Sequence, residues 1–332
     1  MSSFTVFRGV KDGFPKKSTT AKPDSLTGDK VYLKVTASGV CGTDLHYRHN
    51  DMVLGHEGVG IVEEVGPAVK YLKKGDRVGW GYETDSCGLC MQCLQGTEVF
   101  CPERVLYGTG NTDQGSFAYN AVFREAFLFK IPDNIKDEHA APLQCGGATV
   151  YTALSDVQPN ETVGVLGVGG LGHLAIRFAS KMGARVVVLS GSDRKKDEAT
   201  KLGAHHFIAT KGQDQLDLKG TPKISRLLVT AATQPNWNAI IPIMAPGSRI
   251  YPLTVSGDNL SIPAMGLILN GISVVGSLVA TRAVQLKMLE FASFHNITPV
   301  IEKFPMTEEG IKEAIEKLEN GNVHFRAVLI PQ

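Results

Sequence analysis

Apolar and polar positions along the chain follow two rhythms. The first forty residues read as β structure, and Val31-Tyr32-Leu33-Lys34-Val35-Thr36-Ala37 alternates and is rich in β-branched and aromatic residues, which predicts a strand delivering Cys41 at its end. Gly58 to Val65 is another apolar, valine-rich run, Gly75-Asp76-Arg77-Val78 reads as a turn into a further strand, and Ala126 to Ile131 is strand-like up to Pro132. The first 140 or so residues are therefore expected to form a β-rich domain of non-local pairings. Lys136 to Leu154 then takes on helical character.

Beyond residue 150 the rhythm changes to short apolar runs separated by helical or turn stretches. Glu161 to Leu166 predicts a buried strand, His173 to Lys181 a helix closed by Gly183, and Arg185 to Leu189 a second strand. Phe207-Ile208, Leu227-Leu228-Val229 and Arg249-Ile250-Tyr251 extend this into a doubly wound parallel sheet reaching about residue 279. Thr281 to Phe294 and Thr307 to Leu318 read as amphipathic helices, the second closed by Asn320-Gly321, and Phe325 to Ile330 as a last strand. The expected fold class is α/β, with a β-rich domain of residues 1–150 and 290–332 and a doubly wound domain inserted as residues 151–289.

Composition narrows the function classes. The 332 residues carry 34 basic and 33 acidic side chains, a formal charge of +1, which gives no electrostatic footprint for nucleic acid or an anionic membrane. Met1 to Gly13 lacks a seven-residue apolar core, so a signal peptide is not expected. The uncharged run from Leu260 to Thr281 approaches membrane-spanning length, but Pro263, Gly266, Asn270, Gly271 and Gly276 interrupt it, and Ile272 to Val275 reads as a buried strand. All six cysteines find places in candidate metal sites, which leaves none for disulfides and points to a reducing, cytoplasmic compartment.

The candidate chemistry sits in three places. Cys41 to Glu57 gathers a thiolate, two imidazoles, a hydroxyl and two carboxylates, with Cys41 and His56 as metal ligands. Cys87, Cys90, Cys93 and Cys101 supply four thiolates on one compact lobe, as a closed structural zinc site requires, with an iron–sulfur cluster as the competing occupant. Gly167-Val168-Gly169-Gly170-Leu171-Gly172, between a strand and a helix, has the dinucleotide-binding pattern: Gly167 for the turn, Gly169 for approach to the pyrophosphate, Gly172 for helix packing, and the backbone amides at the helix start for the phosphates. Eighteen residues past Gly172, where a carboxylate would favour NAD, stands Ser190, followed by Ser192, Arg194 and Lys195; hydroxyls and cations there suit the 2′-phosphate of NADP, although Asp193 lies among them and a neutral strand end is the alternative. Cys145, in Leu143-Gln144-Cys145-Gly146-Gly147, reads in isolation as a small buried hydrophobe.

Taken together, Cys-Gly-Thr-Asp-Leu-His at 41–46, Gly-His-Glu at 55–57, the four-cysteine lobe, Gln-Cys-Gly-Gly at 144–147 and the glycine turn resemble the zinc-dependent medium-chain alcohol dehydrogenases, especially their cinnamyl-alcohol-dehydrogenase-like, NADP-linked branch, over almost the whole chain. The resemblance implies a GroES-like catalytic domain, a Rossmann-type cofactor domain, two zinc ions per chain, NADP with NAD possible, an alcohol or aldehyde substrate and a homodimer or higher homo-oligomer. It implies that Cys41, His56 and Cys145 hold the catalytic zinc, reversing the isolated reading of Cys145, and that the metal keeps one position open to polarise the substrate oxygen. Thr43 and His46 resemble the proton relay, Asp44 the carboxylate that orients His56, and Glu57 a carboxylate that approaches the metal during ligand exchange or supports its ligands. Arg326 is a further candidate cofactor contact, and the other histidines have no comparable setting. A polyol or secondary-alcohol dehydrogenase, and a non-catalytic zinc- and nucleotide-binding scaffold, are the alternative functions; cysteine at 145 favours the alcohol/aldehyde side, since polyol relatives commonly carry a carboxylate there. One departure is the spacer between His46 and Gly55, eight residues where relatives have a longer loop, which implies a differently lined substrate mouth.

Overall fold

The computed structural model describes residues 2–11 and 13–332. The amino-terminal reading above thus falls partly on residues outside the described ones. The chain forms two compact units, one of Met1–Ala148 with Ala280–Gln332 and one of Thr149–Val279. The second junction lies at 279/280, not at the expected 289/290, which would have cut through the helix Arg282–Phe294. That helix starts where Thr281 Oγ1 accepts the Val284 amide at 3.4 Å, a capping contact that sets its first turn.

The first unit is built on a seven-stranded sheet. Lys30–Val40 is its longest strand, antiparallel to Gly58–Val65 on one side and, on the other, to Asn120–Arg124 along its first half and Arg326–Ile330 along its last residues. The sheet continues through Arg77–Trp80 to Phe129–Lys130, and Ile301–Pro305 lies parallel to Arg326–Ile330 at the opposite edge. The alternation in 31–37 follows from this placement: Val31, Leu33 and Val35 enter a core with Trp80, Phe117, Phe304 and Leu329, while Lys30 and Lys34 stay exposed. Of the expected strand Ala126–Ile131 only Phe129–Lys130 pairs. Residues Glu125–Phe127 form a 3₁₀ turn, and the Glu125 carboxylate accepts the amides of Lys70, Tyr71 and Leu72, so this segment bonds a loop and not a strand.

The helical stretch after residue 136 is not continuous. An α-helix covers Asp137–Pro142, a π-helical turn Leu143–Gly147, and an α-helix resumes at Ala148–Leu154. Pro142 brings no amide to the ladder, which favours a change of hydrogen-bond pattern beside it. Gln144, fully buried, donates to the Ala140 carbonyl at 3.0 Å and accepts from Gln285 Nε2 at 2.9 Å, tying the turn to the helix Arg282–Phe294.

In the second unit six strands are all parallel. In chain order they are Thr162–Leu166, Arg185–Ser190, His206–Ala209, Ile224–Val229, Met244–Pro252 and Ser273–Val274, and their spatial order is 3-2-1-4-5-6. This is the doubly wound order whose switch point lies at the first strand, where dinucleotides bind. The expected buried strand Ile272–Val275 is instead a two-residue edge strand with both residues exposed, because among the described residues no strand pairs with its outer side. Among the described residues no helix is long and apolar enough to cross a membrane.

Candidate metal centre and cofactor turn

Three separate elements bring the first cluster together. Cys41 stands between the strand Lys30–Val40 and the short helix Gly42–Tyr47, His56 and Glu57 immediately precede the strand Gly58–Val65, and Cys145 lies in the π-helical turn. One donor atom from each of Cys41, His56, Glu57 and Cys145 lies within 4.8 Å of all the others. His56 is buried, and its Nδ1 is 3.1 Å from Asp44 Oδ1. That contact leaves the lone pair on Nε2, which has no hydrogen-bond partner among the described residues. An unpartnered imidazole nitrogen facing two thiols is the donor set that suits zinc.

The electrostatics fit the same occupant. The hydrogen bond from Cys145 holds the Cys41 thiol well below its ordinary range, helped by His56. Burial opposes charge on His56, yet the Asp44 carboxylate raises its affinity for a proton. A cation in the cluster would take over the positive charge that this environment favours. Burial pushes the Glu57 carboxyl up to about 7 against the pull of Arg326. Arg326, expected as a cofactor contact, is buried in the first unit and bonded to Glu57 Oε1. Glu57 Oε2 is left without a partner among the described residues.

Asp44 is fully buried and uses both oxygens: Oδ2 accepts the Cys41 amide at 2.8 Å, and Oδ1 faces His56 and accepts the Tyr107 hydroxyl at 2.8 Å. Thr43 Oγ1 lies 3.8 Å from Cys41 Sγ, and His46 is exposed on the last turn of the same helix. Of the spacer after it, Met52, Val53 and Leu54 are buried, and the Met52 carbonyl and Leu54 amide bond to Gly9 and Phe7. The shortened segment is thus pinned against the first strand. Tyr107 and Tyr82, whose rings flank His56, carried no local signal in the sequence, since they lie tens of residues from either ligand.

The second cluster is local. Cys101 Sγ is 3.5 Å from Cys87 Sγ, Cys90 Sγ is 3.6 Å from Cys93 Sγ, and Cys87 and Cys93 are 4.0 Å apart. Backbone amides point at the sulfurs, Cys90 at Cys87 and Glu103 at Cys101, each at 3.3 Å. The amides of Leu89 and Cys90 draw the Cys87 thiol down to about 7. Four converging sulfurs with N–H donors fit a metal that binds thiolate.

In the second unit the glycine turn joins Thr162–Leu166 to the ten-residue helix Gly172–Lys181. Gly167 adopts φ +97°, and a Cβ on Gly172 would lie 2.0 Å from the Gly167 carbonyl oxygen, so neither position admits a side chain. A Cβ on Gly169 would meet nothing within 4 Å. The turn therefore leaves open space where the pattern expects a pyrophosphate, with Gly170 and Leu171 leading into the helix start. Ser190 ends its strand, its carbonyl accepting from Thr210, and Ser192 Oγ accepts from Arg194 Nε at 3.3 Å. Lys195 Nζ reaches back to the Val168 carbonyl at 2.7 Å, which joins the basic segment to the glycine turn.

Comparison with known proteins matches residues 27–133 to the alcohol dehydrogenase GroES-like domain and residues 170–293 to the zinc-binding dehydrogenase domain. An alcohol dehydrogenase from Geobacillus stearothermophilus is 34% identical over 320 residues, covering 93% of this chain and 94% of that protein. A cinnamyl alcohol dehydrogenase from Sorghum bicolor superposes with a TM-score of 0.89 at 31% identity, over 99% of this chain and 98% of the other. The cinnamyl alcohol dehydrogenase of Helicobacter pylori, solved with NADP(H), gives a TM-score of 0.86 at 27% identity, over 99% and 98% of the two chains.

Proposed function

Because this chain belongs to the zinc-binding alcohol dehydrogenase family, we propose that it transfers hydride between NADP(H) and an alcohol/aldehyde pair, working mainly as an aldehyde reductase. The observation that carries the reading is the convergence of Cys41, His56 and Cys145 around an unpartnered His56 Nε2. Those three residues would hold a catalytic zinc, and Cys87, Cys90, Cys93 and Cys101 a structural one, two ions per chain. When bound, the catalytic zinc supplies a Lewis acid that polarises the substrate carbonyl.

The remaining work belongs to the chain. Asp44 fixes the His56 ring, and Thr43 Oγ1 relays the proton between the substrate oxygen and His46, inwards for aldehyde reduction, with His46 three residues on along the same helix and facing solvent. Glu57, held by Arg326 through one oxygen, has its other oxygen without a partner among the described residues and would supply a further carboxylate beside the three zinc ligands. Gly167, Gly169, Gly170, Leu171 and Gly172 receive the pyrophosphate. Ser190, Ser192, Arg194 and Lys195 receive the ribose phosphate of NADP; the absence of a carboxylate at the end of the second strand supports this choice over NAD. Six free cysteines agree with a cytoplasmic setting. An exposed edge strand flanked by exposed Met265, Ile268 and Leu269 agrees with a homodimer or higher homo-oligomer.

The test is nucleotide oxidation with NADPH and with NADH against a panel of aromatic, aliphatic and branched aldehydes and ketones, with a chelator control. Reduction of aldehydes that prefers NADPH and is lost on chelation is the expected result. A preference for NADH would move the cofactor discriminator away from Ser190, and turnover confined to polyols or ketones would replace the aldehyde assignment.

A further inference from the structure

Tyr107 follows the four-cysteine lobe in sequence, outside every motif named above. Its side chain nevertheless meets the His56 environment at three points. Its hydroxyl donates to Asp44 Oδ1 at 2.8 Å, accepts the amide of Gly55 at 3.0 Å, and its ring lies against the imidazole with centroids 4.6 Å apart and planes inclined by 32°. It is 5% exposed. A tyrosine that only filled space here would place its hydroxyl among apolar neighbours or towards solvent, and a phenylalanine would serve as well. Instead the hydroxyl joins the backbone just before His56, where Gly55 adopts φ +92°, to the carboxylate that faces the ring of His56.

We propose that Tyr107 is a positioning residue for the His56 metal ligand, acting through Asp44 and the Gly55 amide. Asp44 Oδ1 has to serve two donors, and the Tyr107 hydroxyl fixes where that oxygen sits and limits how much of its charge falls on the imidazole. The hold is specific to one cluster: none of these contacts touches Cys87, Cys90, Cys93 or Cys101.

The inference rests on the metal-site reading of Cys41, His56 and Cys145, and the experiment separates the two. Zinc-loaded wild type and Tyr107→Phe are mixed with excess chromogenic chelator, and zinc release is followed in time, the phase removed by Cys145→Ser marking the Cys41/His56/Cys145 site. The substitution should speed that phase about tenfold while the four-cysteine phase keeps its rate, and should shift the visible absorption of the cobalt-substituted protein. In an Asp44→Asn background the same substitution should have a smaller effect, because the two act along one path. Unchanged release and an unchanged cobalt spectrum would overturn the role, as would equal acceleration of both phases, which would indicate general loosening. Wild type that releases only the four-cysteine zinc would overturn the metal site and the inference with it.

Discussion

The two cysteine-bearing clusters differ in how the chain assembles them. The lobe of Cys87, Cys90, Cys93 and Cys101 is closed by a short segment, with tight turns at Gly88 (φ +74°) and Gly96 (φ +72°), and all four of its donors are sulfur. The Cys41, His56 and Cys145 cluster draws on the end of one strand, the approach to another and a π-helical turn about a hundred residues later, and mixes sulfur, nitrogen and a nearby carboxylate. A closed set of like donors has room for a metal but none for a substrate, whereas a mixed set of three ligands leaves a position to be used. Chemistry is therefore expected to depend on the dispersed cluster and local stability on the compact one.

The sharpest way to break this comparison is Cys145→Ser. It should lower kcat/KM more than about 10³-fold, since several kcal/mol of carbonyl polarisation are lost with the metal, while the thermal midpoint changes little. Turnover close to wild type would remove the dispersed cluster from the chemistry. Next in size, Cys101→Ala should halve the zinc content and lower the unfolding midpoint by roughly 5–10 °C, with activity per folded molecule largely kept. A midpoint unchanged in differential scanning calorimetry would show that the lobe needs no metal.

The smallest effect concerns the strand Glu83–Asp85, just before the lobe. Burial, and then the charge of Glu98, push the Glu83 carboxyl up to about 7, and its Oε1 has no partner among the described residues. Its folded affinity for a proton exceeds its unfolded one, so the stability it contributes is complete below the ordinary value of 4.5 and is lost as pH rises through about 7. Glu83→Gln should therefore flatten the fall in stability over that window and raise the midpoint above pH 7 by about 2 °C. A pH profile that keeps the wild-type slope would sink the assignment.

How much of this was legible without coordinates depended on distance along the chain. The lobe and the glycine turn announce themselves because they need a fixed local spacing: tight turns bring the cysteines together, Gly167 takes a positive φ, and Gly172 answers to a clash with the Gly167 carbonyl five residues before it. The strand at Val31–Ala37 and the helices capped by Thr281 and Thr307 were legible for the same reason, since alternation and capping are properties of consecutive residues. Ala126–Ile131 misled because its apolar alternation carries no record of the Glu125 carboxylate bonding a distant loop.

The sequence by itself determined the two-unit α/β architecture, the four-cysteine lobe, the glycine turn and, with the family resemblance, the choice of Cys41, His56 and Cys145 as candidate ligands. Tertiary structure alone decided that Cys145 sits in a π-helical turn, that Arg326 binds Glu57, that the last strand of the second unit is an exposed edge, and that Tyr107 meets Asp44. The physical reason is that these four rest on contacts between residues 24 to 269 positions apart in the chain, where the identity of one partner places almost no constraint on the other. Local geometry leaves its mark in spacing; long-range geometry exists only once the core has closed.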